Sequence, residues 1–237
     1  METKNSIIHV VLTGGVGSRL WPLSRKSQPK QYLEIFEGKS LFEMTVERNS
    51  HLAGKVMVVG NVDNHHLSGK VMDKTKTSYT NIVEATPRNT AAAIAFAAFA
   101  SNPDDILIVT PSDHIIDKME DYNNAIQEAI SKAKDGFIVT FGIIPTKPET
   151  GYGYIESKGD KVLSFREKPN ETTAKEFIAR GNFLWNSGMF CFKASVLLDE
   201  LKQFQPDVYE KSKAVWQSSK EGFLDLDLSM EIPSISI

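Results

Sequence analysis

Apolar, β-branched runs alternate with helical patterns along most of this chain. The strand-like runs are Ile7–Thr13, Val56–Gly60, Asn81–Glu84, Ile106–Thr110, Phe137–Gly142 and Met189–Phe192. The helical patterns are Leu41 to Asn49 after an N-capping Ser40, Thr90 to Ala100, and Tyr122 to Lys134. Such alternation predicts parallel βαβ units with right-handed crossovers. We therefore expect an α/β fold with a Rossmann-like, mixed but mainly parallel sheet flanked by helices, and ligands at the carboxyl ends of its strands.

A glycine turn directly follows the first of these strands. Gly14, Gly15 and Gly17 let the backbone turn tightly and present its N–H groups to an anion. Between Glu2 and Glu34 there is no acidic residue, whereas the window holds the cations Arg19, Arg25, Lys26 and Lys30. The net charge of the chain is −3, so this excess is local. Neither the P-loop nor the dinucleotide pattern fits. The segment predicts a polyphosphate site, with a ligand-free strand-ending turn as the alternative.

The pattern changes after the fifth strand. Tyr152–Ser157 and Val162–Arg166 predict a β-hairpin. Helical patterns follow over Thr172 to Arg180, Lys193 to Phe204, and Val208 to Ser218. There is no repeat or Gly/Ser linker, so we predict one domain over residues 1–237. Its nucleotide-binding half would span about 1–145 and a second half about 146–237.

Composition excludes several classes of protein. The single cysteine, Cys191, rules out an internal disulfide framework and suits a reducing cytoplasm. There is no long apolar span, no secretory leader pattern and no basic stripe, so neither a membrane nor nucleic acid is an expected partner. The adjacent His65 and His66 are expected in a solvated loop rather than in a zinc site.

Two further positions in the first half suit a nucleotide. Asp113 follows the apolar strand that begins at Ile106, where it is either a turn residue or, with substrate phosphates, a ligand of Mg²⁺. Asn89 or Thr90 is expected to cap the next helix, whose free N–H groups could face a purine carbonyl. A cap without a ligand is the alternative there.

The second half carries candidates for a sugar phosphate. Gly153 lies between tyrosines and lets the main chain approach a ligand closely. Glu167 could accept hydrogen bonds from hydroxyls while Lys168 binds a phosphate, or the two form a solvated ion pair. Asn186 sits in an apolar stretch and must be hydrogen-bonded to backbone or to ligand.

The segment from Gly14 to Gln31, with its Trp-Pro-Leu-Ser and Pro-Lys-Gln motifs, resembles the signature of the sugar-nucleotidyltransferase family. These two motifs are similar to those of the mannose-1-phosphate guanylyltransferase branch of the family. Five motifs follow the order of that family from about Ile7 to the last residue. The resemblance implies a nucleotidyltransferase or glycosyltransferase-A-like fold, in which the second half adds a β-hairpin and a helical sugar-binding part.

The resemblance also assigns roles. It implies that the glycine loop, including Ser18, wraps GTP, that Arg19 contacts its phosphates and that Lys30 bridges both substrates. Asp113 would bind Mg²⁺. The stretch containing Asn89 and Thr90 would recognise the base, and Gly153, Glu167 and Asn186 would touch sugar hydroxyls, with Lys168 beside them.

The implied activity is guanylyl transfer from GTP to mannose 1-phosphate by a cytoplasmic enzyme, compatible with a homodimer. The alternatives are another nucleoside triphosphate or hexose 1-phosphate, or a binding module that has lost turnover. The family's second metal-binding aspartate, in an Asp-Val-Gly-Ser-Trp-like motif, has no counterpart here. Together with the apolar last residues 232–237, this leads us to expect a C-terminally truncated piece of a longer enzyme.

Overall fold

The structure, a computed structural model, describes residues 6–14 and 21–236. Within them the strands are β1 (Ile7–Leu12), β2 (Lys55–Asn61), β3 (Tyr79–Glu84), β4 (Ile106–Pro111), β5 (Val139–Ile143), β6 (Tyr154–Lys158), β7 (Lys161–Arg166) and β8 (Phe183–Lys193). The helices are α1 (Leu41–Asn49), α2 (His65–Thr75), α3 (Asn89–Phe99), α4 (Met119–Lys134), α5 (Glu171–Arg180), α6 (Ala194–Phe204), α7 (Pro206–Ser218) and α8 (Leu226–Met230).

The chain forms two compact units. Unit A comprises Met1–Val139 and Phe190–Ile237, and unit B comprises Thr140–Met189. These bounds differ from the halves predicted at about residue 145, because α6, α7 and α8 belong to unit A. The division into a nucleotide-binding half and a sugar half stays a prediction.

The sheet of unit A contains four parallel strands in the order β3-β2-β1-β4. Val10 at the centre of β1 pairs with Met57 of β2 and Val109 of β4. The Phe190 to Lys193 end of β8 then pairs antiparallel to β4. The predicted α/β class with a mixed, mainly parallel sheet is confirmed in this unit.

Side chains of these strands alternate between two apolar clusters, one on each face of the sheet. Val10 belongs to the cluster that includes the alanine-rich α3 together with α6 and α7. Val11, the next residue, belongs to the cluster with Phe42 of α1 and Met72 of α2. Continuous apolar runs were therefore the right signature for strands that are covered on both faces.

The start of α1 agrees with the sequence. Ser40 is its N-cap and accepts a hydrogen bond from the backbone N–H of Glu43 at 3.1 Å. The prediction of a loop at His65 and His66 was wrong, because these residues begin α2. Buried Met72 anchors that helix, and His65 lies edge-on to the Phe223 ring at 5.3 Å between centroids.

Unit B is built on the predicted hairpin, which is confirmed. Strands β6 and β7 pair antiparallel, and Tyr154 of β6 pairs in turn with Trp185 of β8. Helix α5 begins after Asn170, whose side chain accepts from the N–H of Thr173, and ends at Gly181 in the left-handed region. In the described part of the chain, no helix is long and apolar enough to cross a membrane.

Candidate functional site

An ion pair lies at the carboxyl edge of the parallel sheet in unit A. The ammonium of Lys30 is 2.5 Å from Oδ2 of Asp113. Lys30 begins a short 3-10 helix, Lys30–Tyr32, and Asp113 comes just after the end of β4. The two side chains keep 31% and 27% of their area exposed, so a ligand can reach both. The structure thus brings together two residues that the sequence singled out separately.

Gln31 ties this 3-10 helix to the start of the glycine turn. Its buried side-chain amide donates to the carbonyl oxygen of Thr13 at 2.9 Å. Thr13 is itself fixed, because its backbone N–H donates to the carbonyl of Val59 at 2.8 Å. Exposed Gly14 follows directly. This structural role of Gln31 could not be predicted, since nothing in the Pro-Lys-Gln motif separates a ligand contact from an anchor.

Several predicted phosphate-binding residues lie outside the described part of the chain. They are Gly15, Gly17, Ser18 and Arg19. Their roles stay predictions.

Asp113 offers a divalent cation the ligand chemistry that it prefers. A carboxylate at a strand end, with oxygens supplied by substrate phosphates and water, suits Mg²⁺. Oδ1 of Asp113 is 3.9 Å from Nε2 of His114, and burial lowers the pKa of His114, with Arg48 and Lys30 acting in the same direction. Among the described residues no group of three or more metal-ligating side chains occurs. A single carboxylate such as Asp113 fits Mg²⁺ only when phosphate oxygens and water complete its ligands.

A buried carboxyl group stands at the end of β3, which lies on the opposite side of the four parallel strands from β4. Glu84 is 5% exposed, accepts a hydrogen bond from the backbone N–H of Arg88, and has no hydrogen-bond partner for Oε1 among the described residues. Burial raises the pKa of Glu84 to about 7, against the smaller opposing effect of the Arg88 hydrogen bond. Glu84 was predicted only as a strand residue, because the burial of an acidic residue has no local sequence pattern.

The start of α3 differs from the prediction. The helix begins at Asn89, which has a positive φ of 67° and accepts from the N–H of Thr90 at 3.1 Å, while Arg88 occupies the N-cap position. The next N–H is not free for a purine carbonyl, because Ala91 donates to the carbonyl of Ile235 at 3.0 Å.

The stretch before α3 is also held by the segment after α8. The Arg88 side chain donates to the carbonyl oxygens of Ser229 and Met230. Residues 229–235 therefore lie against the element predicted to recognise the base.

Unit B brings its four candidate residues together. The backbone N–H of Asn186 donates to the carbonyl of Gly153 at 2.8 Å, and its Oδ1 accepts from the N–H of Gly188 at 3.0 Å. A Cβ on Gly153 would lie 2.9 Å from Oε2 of Glu167 and 3.1 Å from the Phe165 ring, so a larger residue would force the carboxylate to shift. Lys168 pairs with the other oxygen of Glu167 at 3.0 Å, with both side chains more than half exposed. The group combines hydroxyl acceptors, an amide and a cation.

The fold is that of an α/β protein, and its lysine–aspartate pair lies at the carboxyl edge of the sheet, where proteins of this class bind their ligands. A nucleotidyl transferase family profile matches residues 8–227. The chain is 42% identical to mannose-1-phosphate guanylyltransferase 2 of Escherichia coli O157:H7, over 93% of this chain and 49% of that protein. It is 37% identical to mannose-1-phosphate guanylyltransferase of Klebsiella pneumoniae, over 98% of this chain and 53% of that protein.

A solved structure is similar over the same region. The crystal structure of mannose-6-phosphate isomerase from Helicobacter pylori superposes with a TM-score of 0.88 at 36% identity, covering 98% of this chain and 90% of that one. The chain belongs to the nucleotidyl transferase family. It spans about half the length of the curated relatives named above.

Proposed function

We propose that this chain carries out guanylyl transfer from GTP to α-D-mannose 1-phosphate, giving GDP-mannose and pyrophosphate. The observation that carries the proposal is the ion pair of Lys30 and Asp113 at the carboxyl edge of the sheet, beside the start of the glycine turn. The names of the similar enzymes support the choice of substrates. The roles given below to individual residues are part of the proposal.

The reaction exchanges one phosphate linkage for another. An oxygen of the sugar phosphate forms a bond to the α-phosphorus of GTP, and the bond from that phosphorus to the bridging oxygen of pyrophosphate breaks. The attacking phosphate is already an anion, so no side chain has to remove a proton. The main obstacle is repulsion between two polyanions, and a lysine placed at the transferred group lowers it. Lys30 has this role in the proposal, together with Arg19.

Asp113 would hold Mg²⁺, and the ion when bound would neutralise charge on the triphosphate oxygens. In the structure its carboxylate is paired with Lys30. Entry of the triphosphate gives the Lys30 ammonium a new partner and leaves Asp113 available as a ligand. Lys30 and Asp113 would then both act on the triphosphate, Lys30 directly and Asp113 through Mg²⁺.

Glu84 supports guanine as the base. The ring N1–H and the 2-amino group of guanine are adjacent donors, and an ionised carboxylate accepts two such hydrogen bonds. Because Oε1 is buried, the turn between Glu84 and Arg88 has to open for this contact. Ionisation of Glu84 would then accompany binding of GTP.

The cluster in unit B suits the sugar phosphate. Glu167 and the Asn186 amide can bond to hydroxyls, Lys168 supplies a cation for the phosphate, and Gly153 keeps the surface open. Association into a homodimer is a further part of the proposal, to be tested by analytical ultracentrifugation.

Pyrophosphate release tests the proposal directly. The chain is assayed with GTP, ATP, UTP and dTTP against mannose 1-phosphate and glucose 1-phosphate, with calorimetry of GTP binding alongside. Lys30→Ala should lose about 2–4 kcal/mol of transition-state stabilisation, roughly 30- to 1,000-fold in rate. Lys39→Ala is the matched control, because it removes an exposed lysine that pairs with Glu47.

The outcomes separate the alternatives. Turnover with another triphosphate or sugar phosphate would change the proposed substrates and leave the proposed nucleotidyl transfer in place. Tight GTP binding without turnover would support a binding module. Wild-type rates in Lys30→Ala would remove Lys30 from the mechanism.

A further inference from the structure

The loop that carries Asp113 is held by a side chain from a distant helix. Nη2 of Arg48, in the last turn of α1, donates to the backbone carbonyl of His114 at 2.8 Å. His114 directly follows Asp113, so this hydrogen bond fixes the peptide next to the candidate metal ligand. The loop runs from the end of β4 at Pro111 to the start of α4 at Met119.

Arg48 is an unusual anchor, because its charge is not neutralised by a carboxylate. It is half-buried, and none of the described acidic residues forms an ion pair with it. Its guanidinium lies 5.7 Å from the centre of the Tyr122 ring. A cation removed from water without a counter-charge costs free energy, so its neighbours have to compensate through hydrogen bonds and the aromatic ring.

A chain of buried hydrogen bonds connects the two ends of the same loop. On the α4 side, the hydroxyl of Tyr122 donates to Oδ1 of Asn49 at 2.8 Å. The amide of Asn49 lies 3.2 Å from Nε2 of His9, which in turn is 2.8 Å from Oγ1 of Thr110. Thr110 precedes the loop on β4, and Tyr122 follows it on α4. The loop is therefore held at its α4 end by Asn49 of α1, at its β4 end by His9 of β1, and at His114 by Arg48.

We propose that Arg48 is a positioning residue for Asp113: its hydrogen bond to the His114 carbonyl, with the Tyr122–Asn49–His9–Thr110 chain behind it, holds the carboxylate where Lys30 and an incoming metal–nucleotide complex meet it. The consequence for nucleotide binding rests on the proposed function. The placement of the loop by Arg48 does not depend on that function, because it follows from hydrogen bonds within the chain.

A purely structural Arg48 would stabilise the fold without a particular effect on the loop. The two roles predict different effects when the hydrogen bond between Arg48 and the His114 carbonyl is lost. Loss of an anchor frees residues 112–118 while β4 stays paired in the sheet, because the ladder between β1 and β4 does not involve Arg48. Loss of general stability would raise exchange of buried strand amides as well.

Hydrogen exchange of the ligand-free 237-residue chain measures this difference. In Arg48→Met, the amide of Tyr122, which donates to the carbonyl of Lys118 where the loop enters α4, should exchange at least about tenfold faster, with β4 unchanged. Arg48→Lys keeps a cation and a donor and should restore part of the protection. Arg180→Met is the control, since Arg180 pairs with Glu156 in unit B. Unchanged exchange of the Tyr122 amide in Arg48→Met, or equally faster exchange of β4, would overturn the proposal.

Calorimetry with GTP then measures the consequence, once with Mn²⁺ and once with EDTA. Arg48→Met should lower the Mn²⁺-dependent gain in GTP affinity at least about tenfold, and leave affinity in EDTA unchanged. Equal losses in both conditions would overturn the link to Asp113. Failure of the wild-type chain to bind GTP would refute the proposed function, and the exchange experiment would still decide the role of Arg48.

Discussion

Glu84 should make the stability of the protein depend on pH in a way that one substitution isolates. The carboxyl group is 5% exposed, and burial raises its pKa from 4.5 to about 7. At pH 6 the folded chain therefore keeps a proton on Glu84 that the unfolded chain has released. Stability from this group is fully present below pH 4.5 and is lost as the pH rises to about 7.

The size of the effect follows from the two pKa values. Each pH unit in this interval changes the free energy of unfolding by up to about 1.4 kcal/mol. Between pH 5 and pH 7, with partial titration at both ends, Glu84 should cost about 2 kcal/mol of stability. Glu84→Gln keeps the shape of the side chain and removes the titration.

The wild-type curve alone does not reveal this effect, because His9 acts in the opposite direction. Burial, with a smaller contribution from Arg48, lowers the pKa of His9 from 6.5 to about 3. Its contribution is present above pH 6.5 and is lost as the pH falls, by about 2 kcal/mol between pH 7 and pH 5. The two buried groups nearly compensate, and only a comparison of variants separates them.

Urea unfolding of wild type and Glu84→Gln at pH 5, 6, 7 and 8 provides the comparison. The stability of the variant relative to wild type should rise by about 2 kcal/mol from pH 5 to pH 7 and level off above it. Glu200→Gln, which removes an exposed carboxylate from α6, is the control. A difference between Glu84→Gln and wild type that stays constant from pH 5 to pH 8 would refute the raised pKa.

Two other substitutions test the candidate sites. Gly153→Ala places a Cβ 2.9 Å from Oε2 of Glu167, so calorimetry should show at least about tenfold weaker binding of mannose 1-phosphate with GTP binding unchanged; equal sugar-phosphate affinity would contradict the assignment of this cluster. Gln31→Ala removes the 2.9 Å hydrogen bond to the Thr13 carbonyl and should lower the free energy of unfolding by about 1–3 kcal/mol, together with GTP affinity. If stability falls while GTP affinity stays the same, Gln31 does not position the phosphate site.

Much of the fold could be predicted because the signals are local. The apolar runs of β1, β2 and β4 and the Ser40 cap of α1 depend on neighbouring residues only. Strand β8 shows where such signals end. It runs from Phe183 to Lys193, whereas the sequence indicated only Met189–Phe192, since Asn186, Ser187 and Gly188 favour strands poorly. Pairing with β6 and β4 keeps the whole segment extended.

The residues of the candidate site also differ in whether a local sequence signal reveals them. Lys30 and Asp113 could be singled out from the sequence, because Lys30 lies in the Pro-Lys-Gln motif and Asp113 follows an apolar strand. Arg48 and Glu84 could not, because one acts on a backbone carbonyl and the other through its burial. A carbonyl acceptor carries no side-chain identity, and the position of Arg48 at the end of α1 looks like an ordinary cation in a last helical turn. Residues of this kind can be identified only from the three-dimensional arrangement of the elements. In this chain that arrangement brings Arg48 to the loop of Asp113 and so fixes the position of its carboxylate.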